Sequence, residues 1–357
     1  MDPRISIVSP RLDSKPWGGR KLGGLGLKLP DGESIGEALI TAGESLVISG
    51  FRAGETLGEI VETDPDASLG AVASAAVGGR NLFPLLVKLI DARDNLSIQV
   101  HPSDTGAVGL DRLGKTEAWH VLAANPGAVL YLGIQPGVDF NDFRTAASLL
   151  DGSSARLIRA IPAKAGTTVL IPAGTIHALG AGVMVYEVQQ PSDVTYRLDD
   201  WGRVDAQGNP REMHLDAGLA VSLPGNLPEL IDSVSLRPTT GEHHLLAACR
   251  YFALERVALP VGGSRAIGND GSPMVVTVIA GGATIGDLAL SVGSSAVVWP
   301  TIASAMMTAT LPLVALVVQV PDLSQDVVLR AFRACAGPRE VGALGGSTGH
   351  VAAAMDP

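Results

Sequence analysis

Along most of this chain, β-branched and aliphatic residues come in short runs closed by Gly or Pro, and this pattern constrains the fold more than any other feature. Residues 45–49, 85–90, 97–101, 118–123, 129–133, 167–171 and 183–189 are such runs. Runs of about four to eight residues between turn formers predict strands. They follow one another with little helix between, which favours an antiparallel sandwich or barrel over a βαβ arrangement. With 43 Gly and 23 Pro in 357 residues, turns are plentiful enough to connect them.

Three segments break the pattern. Residues 56–77 are Ala-rich with helical spacing, and Pro65 divides them into two pieces. Residues 138–150 predict a second helix, stopping before Asp151-Gly152, and residues 211–222 a third that closes the first unit. Residues 226–242 are polar and turn-rich and read as a linker. Strand-like runs resume at 252–257, 274–279, 288–291, 295–299 and 315–320. The expected organisation is a mainly β chain with helical insertions. Residues 1–235 form a first unit, 236–336 a smaller second β unit, and 337–357 a Gly/Ala-rich flexible tail. The two β units read as distant copies of each other.

Composition excludes several function classes. Hydrophobic residues make up 46% and charged residues 17%, which suits packed cores rather than disorder. A net charge of −10 without a Lys/Arg cluster argues against a nucleic-acid partner. Cys249 and Cys335 are too few for a disulfide framework or a four-thiolate zinc site, and fit a reducing compartment. The first residues lack a basic stretch followed by an apolar one. The most apolar segment, 305–320, contains Pro312 and Gln319 and is too short to span a bilayer. The expectation is a soluble, cytoplasmic protein with no membrane partner.

Strand parity selects the chemistry. In Ser97-Ile98-Gln99-Val100-His101, residues 97, 99 and 101 share one face. Lys115 and Glu117 share a face in the next run, and Gly166-Thr-Thr-Val-Leu-Ile-Pro172-Ala-Gly174-Thr-Ile-His177 carries a strand into a Pro/Gly turn that delivers one His. Gln99, His101, Glu117 and His177 thus offer an amide oxygen, two imidazoles and a carboxylate. That set suits a divalent ion, with Zn²⁺ first and Fe²⁺, Mn²⁺ or Co²⁺ as alternatives. Taken alone, a His-x₁₅-Glu pair is commonplace, and a strand His is more often a satisfied core residue than a ligand. The Gly-x₅-Pro-x-Gly-x-x-His pattern, however, resembles the second cupin motif, and Gln-x-His followed by Glu resembles the first with its leading His replaced. The resemblance implies a metal-binding jelly-roll barrel.

It extends to one family. FPLLVKLIDARDNLSIQVHPSD (83–104), GKTEAWHVL (114–122), IPAGTIHALGAGV (171–183) and YEVQQPSDVTYRLDDWGR (186–203) resemble type I phosphomannose isomerase in its short form, as do PWGGRKLG (16–23) and REMHLDAGLAV (211–221). The similarity covers roughly residues 1–260. It implies a zinc-dependent aldose–ketose isomerase acting on mannose 6-phosphate and fructose 6-phosphate. It also implies one ion per chain on Gln99, His101, Glu117 and His177, phosphate binding by Lys88 and Ser97, and sugar handling and proton transfer by the catalytic residues Lys115, Glu187 and Arg197. Asp199 departs from the family, which has an aromatic residue there; this is expected to alter the pocket rim. The alternatives are a non-catalytic sugar-phosphate-binding cupin and a cupin oxygenase, and the chain is expected as a monomer or homodimer.

Such a reaction moves a proton between C1 and C2 through an enediol. Three carriers are open: Glu187, whose pKa burial would raise; Arg197, better suited as a charge clamp; and a metal-bound hydroxide. His120 has parity opposite to Glu117 and is expected to face away, His214 to lie on the surface of the closing helix, and Trp119 to form core or pocket wall. His243 and His244, as strand neighbours, point to opposite faces and do not form a metal pair. In the second unit, residues 293–305 read as a decayed copy of the second cupin motif with Ala305 in place of the His, so no metal is expected there.

Overall fold

The computed structural model describes residues 4–107, 112–205, 207–300 and 304–356. Three antiparallel sheets carry it, their strands numbered in chain order. The first has seven strands in the order β14 (Leu230–Ile231), β10 (Thr168–Ile171), β7 (Glu117–Ala124), β12 (Val183–Gln189), β5 (Leu86–Asp91), β3 (Ile35–Thr41) and β2 (Arg11–Gly19). The second has five: β13 (Tyr196–Asp199), β6 (Ile98–Val100), β11 (His177–Leu179), β8 (Val129–Ile134) and β9 (Ile158–Pro162). The third has ten. Eight run in the order β15 (Val234–Ser235), β16 (Glu242–Cys249), β17 (Phe252–Leu259), β22 (Ala305–Gln319), β19 (Met274–Ile285), β21 (Ser295–Val298), β1 (Ile5–Val8) and β4 (Val47–Gly50). The other two, β18 (Ser264–Ile267) and β20 (Leu288–Ser291), flank β22 and β19.

The period-two alternation of the sequence sorts side chains into layers. On β7 and β12, Trp119, Val121 and Val185 face inward, where they share a core with Leu130, Leu132 and Leu179 of the five-stranded sheet. Their neighbours Ala118, Tyr186 and Val188 face outward and join a larger core with Leu254, Val275 and Leu316 of the third sheet. The first two sheets therefore face each other, and the third backs onto the seven-stranded one. The third sheet also encloses a core of its own, including Val257, Val276, Ile285 and Val298.

Helices cover the flanks. α1 (Leu57–Thr63) starts with a capping box: Thr56 accepts the N–H of Glu59, whose carboxylate accepts the N–H of Thr56 at 2.7 Å. Asp64 then caps α2 (Pro65–Ala76), so the chain breaks at Pro65 as its sequence predicts. α3 (Phe140–Ala147), capped by Asp139, and α4 (Leu215–Val221) cover the outer face of the five-stranded sheet through Phe143, Ala147 and Leu219. α4 is shorter than the expected 211–222. Arg211 Nε donates to Asp200 at 2.7 Å and Arg197 donates to Glu212 O at 2.8 Å, and these bonds draw the residues before His214 out of helical conformation.

Three expectations need correction. The first and fourth strands belong to the third sheet, β1 pairing Ile5 with Val298, so that sheet is not built from residues after 235 alone. The segment 337–357 is not a loose tail. After α5 (Arg330–Arg333), α6 (Pro338–Ala343) and α7 (His350–Ala353) bury Val341, Leu344 and Val351 in the large core, because these aliphatic residues recur at helical spacing among the Gly and Ala. The expected linker 226–242 contributes β14 and β15. Residues 301–303 of the decayed motif lie outside the described residues. Among the described residues, no helix is long and apolar enough to cross a membrane.

Candidate active site

The two facing sheets bring the parity-selected residues together. Gln99 is central on β6, with His177 of β11 opposite it on one side and Arg197 of β13 on the other. His101 follows β6, and Glu117 opens β7 in the other sheet. The turn into His177 depends on Gly174, whose φ of +83° suits glycine and whose N–H donates to His101 O at 2.7 Å. Candidate ligand atoms of His101, Glu117 and His177 lie within 4.8 Å of one another, and all three residues are fully buried.

Their hydrogen bonds prepare them for a cation. His101 Nδ1 faces Val194 O and His177 Nδ1 faces Thr175 O, both at 2.9 Å. Each Nδ1 is therefore the protonated nitrogen, leaving the Nε2 lone pair in the site. Burial and the neighbouring Lys115 ammonium hold the His101 pKa well below its ordinary value. Burial opposes ionisation of Glu117, but the Lys115 charge outweighs it and keeps this carboxyl well below the usual range. Neither Glu117 oxygen has a well-aligned hydrogen bond, although Lys115 Nζ lies 2.8 Å from Oε2 and His177 Nε2 lies 3.2 Å from Oε1. Two buried carboxylate oxygens facing two imidazole lone pairs need a positive charge among them. Lys115, also 3.0 Å from His101 Nε2, supplies it in this structure. The donor set thus fits a divalent ion. Gln99 presents its Nε2 to His177 at 3.4 Å while its Oε1 accepts from Ser97 Oγ at 3.3 Å, so turning the amide over brings the oxygen to the same point.

A cavity of about 460 Å³ reaches Gln99 and Lys115, which adjoin His177 and His101 of this cluster. Lys88, Ser97, Gln99, Lys115, Glu187 and Arg197 all line it. Lys88 stands opposite Glu187 across the β5–β12 ladder, but its Nζ lies 3.5 Å from Glu37, which Lys15 also approaches at 3.4 Å. Lys88 and Lys15 together exceed Glu37 by one positive charge. Glu187 Oε2 accepts the indole N–H of Trp119 at 2.8 Å. Burial and the charge of Glu117 raise the Glu187 pKa against the pull of Lys115 and Lys88. Arg197 is half-buried, with its Nε unpartnered.

Trp119 is pocket wall, and His120 faces away, bonded to Thr168 Oγ1 at 2.9 Å, with burial and Arg256 lowering its pKa to about 4. Two residues differ from expectation. His214 is not a surface residue of the helix but its N-cap, lines the cavity, and accepts the Arg197 N–H at 3.3 Å. Asp199 is not at the rim. It is fully buried and fastens a turn, accepting from Ser154 Oγ at 2.6 Å and from the N–H groups of Gly152 and Trp201 at 3.0 Å each. Sequence reasoning also missed Lys15, Glu37 and Arg211. Lys15 shares strand parity with Trp17, a usable signal, but nothing local places Glu37 beside Lys88.

The barrel of facing sheets and the donor set inside it define a metal-binding cupin. Residues 8–117 match the sequence profile of "Phosphomannose isomerase type I, catalytic domain". Mannose-6-phosphate isomerase of Streptococcus mutans is 32% identical over 284 residues, spanning 77% of this chain and 84% of the relative. ManA of Bacillus subtilis, also a mannose-6-phosphate isomerase, is 32% identical over 77% of this chain and 85% of its own. The crystal structure of the mannose 6-phosphate isomerase from Bacillus subtilis superposes with a TM-score of 0.76 at 27% identity, covering 88% of this chain and 99% of that one. The chain belongs to the type I phosphomannose isomerase family.

Proposed function

We propose that this protein is a zinc-dependent isomerase interconverting mannose 6-phosphate and fructose 6-phosphate, with one ion held by Gln99, His101, Glu117 and His177. The buried His101–Glu117–His177 cluster, with unsatisfied carboxylate oxygens, carries the reading; it lies behind Gln99 and Lys115, which line a cavity that also presents Lys88, Ser97, Glu187 and Arg197. Family membership supports the substrate pair.

In this reading the ion supplies Lewis acidity toward the sugar oxygens O1 and O2, lowering the barrier by several kcal/mol. Lys88, assisted by Lys15, and Ser97 grip the phosphate, so its binding energy fixes the reactive carbons. Glu187 takes the proton from C2 of the aldose and returns it at C1, while the hydroxyl proton passes from O2 to O1. Its carboxyl is buried and set in orientation by Trp119, and its pKa is raised above the ordinary glutamate value, which makes it a stronger base. Lys115 offsets charge that develops on the enediol oxygens. Arg197 keeps its charge despite burial and serves as a clamp. The thiols Cys249 and Cys335 are both free, which supports a reducing, cytoplasmic setting.

The test is conversion of mannose 6-phosphate before and after stripping with chelator. Activity is expected to vanish on stripping and return with Zn²⁺. A protein that binds one metal per chain but converts neither sugar phosphate would defeat the isomerase reading.

A further inference from the structure

One carboxylate fastens the turn after His101 to the segment before Glu117. Asp104 Oδ1 accepts the N–H of Gly114 and the Nε2–H of Gln190, both at 2.9 Å. Beside it, Pro102 O accepts the N–H of Lys115 at 3.0 Å. Gln190 extends the network, its Oε1 accepting the N–H of Thr116 at 2.9 Å, between Lys115 and Glu117. Only glycine fits at 114, where a Cβ would stand 2.5 Å from Asp104 N.

The second oxygen faces a different part of the molecule. Asp104 Oδ2 accepts the Tyr251 hydroxyl at 2.5 Å and Arg250 Nη2 at 3.2 Å. Both residues sit in the turn between β16 and β17 of the third sheet. Tyr251 is 8% exposed, and the Arg250 guanidinium lies over its ring, 4.7 Å from the centroid. Burial works against the Asp104 charge, but these donors hold its pKa below the ordinary value. No residue of β16, β17 or their turn lines the cavity.

We infer that Asp104 is a positioning residue for the metal ligands and that Tyr251 anchors it, so the third sheet sets metal affinity without touching the site. The inference rests on the metal reading of the site. His101 and Glu117 come from opposite sheets, and metal ligands must be held to about half an ångström. Asp104 ties the end of the His101 turn to Gly114 and Gln190, and so holds the two ligand-bearing segments against each other. Partners behind metal ligands characteristically matter at about the 10–100-fold level in affinity.

The experiment compares the full-length protein with Tyr251→Phe, Asp104→Ala and the double variant. Zn²⁺ affinity is read by competition with a chromogenic chelator, together with melting of the metal-free protein and the kcat–KM split on mannose 6-phosphate. Tyr251→Phe is expected to weaken Zn²⁺ binding about tenfold and to lower kcat more than it raises KM. In the Asp104→Ala background it should add nothing, because it acts through that carboxylate. A folded Tyr251→Phe protein with unchanged Zn²⁺ affinity, or with only a lowered melting temperature, would overturn the inference even if Asp104→Ala fails to fold. An unsubstituted protein that binds Zn²⁺ without isomerising sugar phosphates would defeat the isomerase reading alone, since affinity is measured directly.

Discussion

Glu187 sits between two opposing influences: a desolvated pocket with Glu117 nearby, and the cations of Lys88 and Lys115. The balance leaves its pKa raised, and a base must be unprotonated to act. Activity should therefore rise with pH through a value above the ordinary glutamate range, seen as the acid limb of kcat/KM. Glu187→Gln is expected to lower kcat by about 10²–10⁴-fold with metal content unchanged, as measured by metal analysis beside kinetics. An unaltered rate would move the proton to another carrier. Residues of this kind were legible in the sequence where strand parity applied, as for Ser97, Gln99, His101, Lys115 and Glu117. Parity says nothing of partners from distant strands, which is why Glu37 beside Lys88 and the burial of Asp199 escaped it. His214 escaped because its place on the cavity wall is set by Arg197 and the extended chain before α4.

At the scale of elements, β16, β17 and β18 meet the helical segment after β22 around one buried carboxylate. Glu255 is held by Arg330 Nη1 at 2.6 Å and Arg265 Nη2 at 3.0 Å, with His243 on its other side. Burial would raise its pKa, yet these partners depress it far below the glutamate range. A carboxyl depressed on folding contributes stability above its unfolded pKa of about 4.3, and that contribution is lost as pH falls toward the folded value. Glu255→Gln should cost about 3–5 kcal/mol at neutral pH, measured by urea denaturation, and the loss should shrink on acidification. An equal loss at all pH values would mean that packing, not charge, is responsible. The sequence pattern correctly ran β20 over 288–291 and broke the first helix at Pro65, both decided by local turn chemistry. It shortened β19 and β22 and missed β2 and β3, whose extent depends on pairing with remote strands.

At the scale of the molecule, the C-terminal helices complete the core shared by the first and third sheets. Ala248 of β16 donates its N–H to Leu344 O at 2.9 Å, and Val341, Leu344 and Val351 are fully buried. Deleting residues 338–357 should therefore destabilise the whole protein, by about 1.5–3 kcal/mol for each of these side chains, read as an earlier urea midpoint. An unshifted midpoint would return the segment to the status of a tail. Composition exposed none of this, because Gly and Ala dominate the stretch and only its few aliphatic residues pack. The same limit hid the place of β1, where the Trp299 indole donates to Ser6 Oγ at 2.8 Å across 293 residues of chain. That pairing has a consequence during synthesis. A ribosome adding about 5–20 residues per second takes roughly 15–60 s to make β21 after β1, and for that interval the first strand has no partner on that edge. The third sheet cannot close while the chain is growing through the residues between β1 and β21, so the nascent protein holds an open strand edge until Ser295–Val298 has been made.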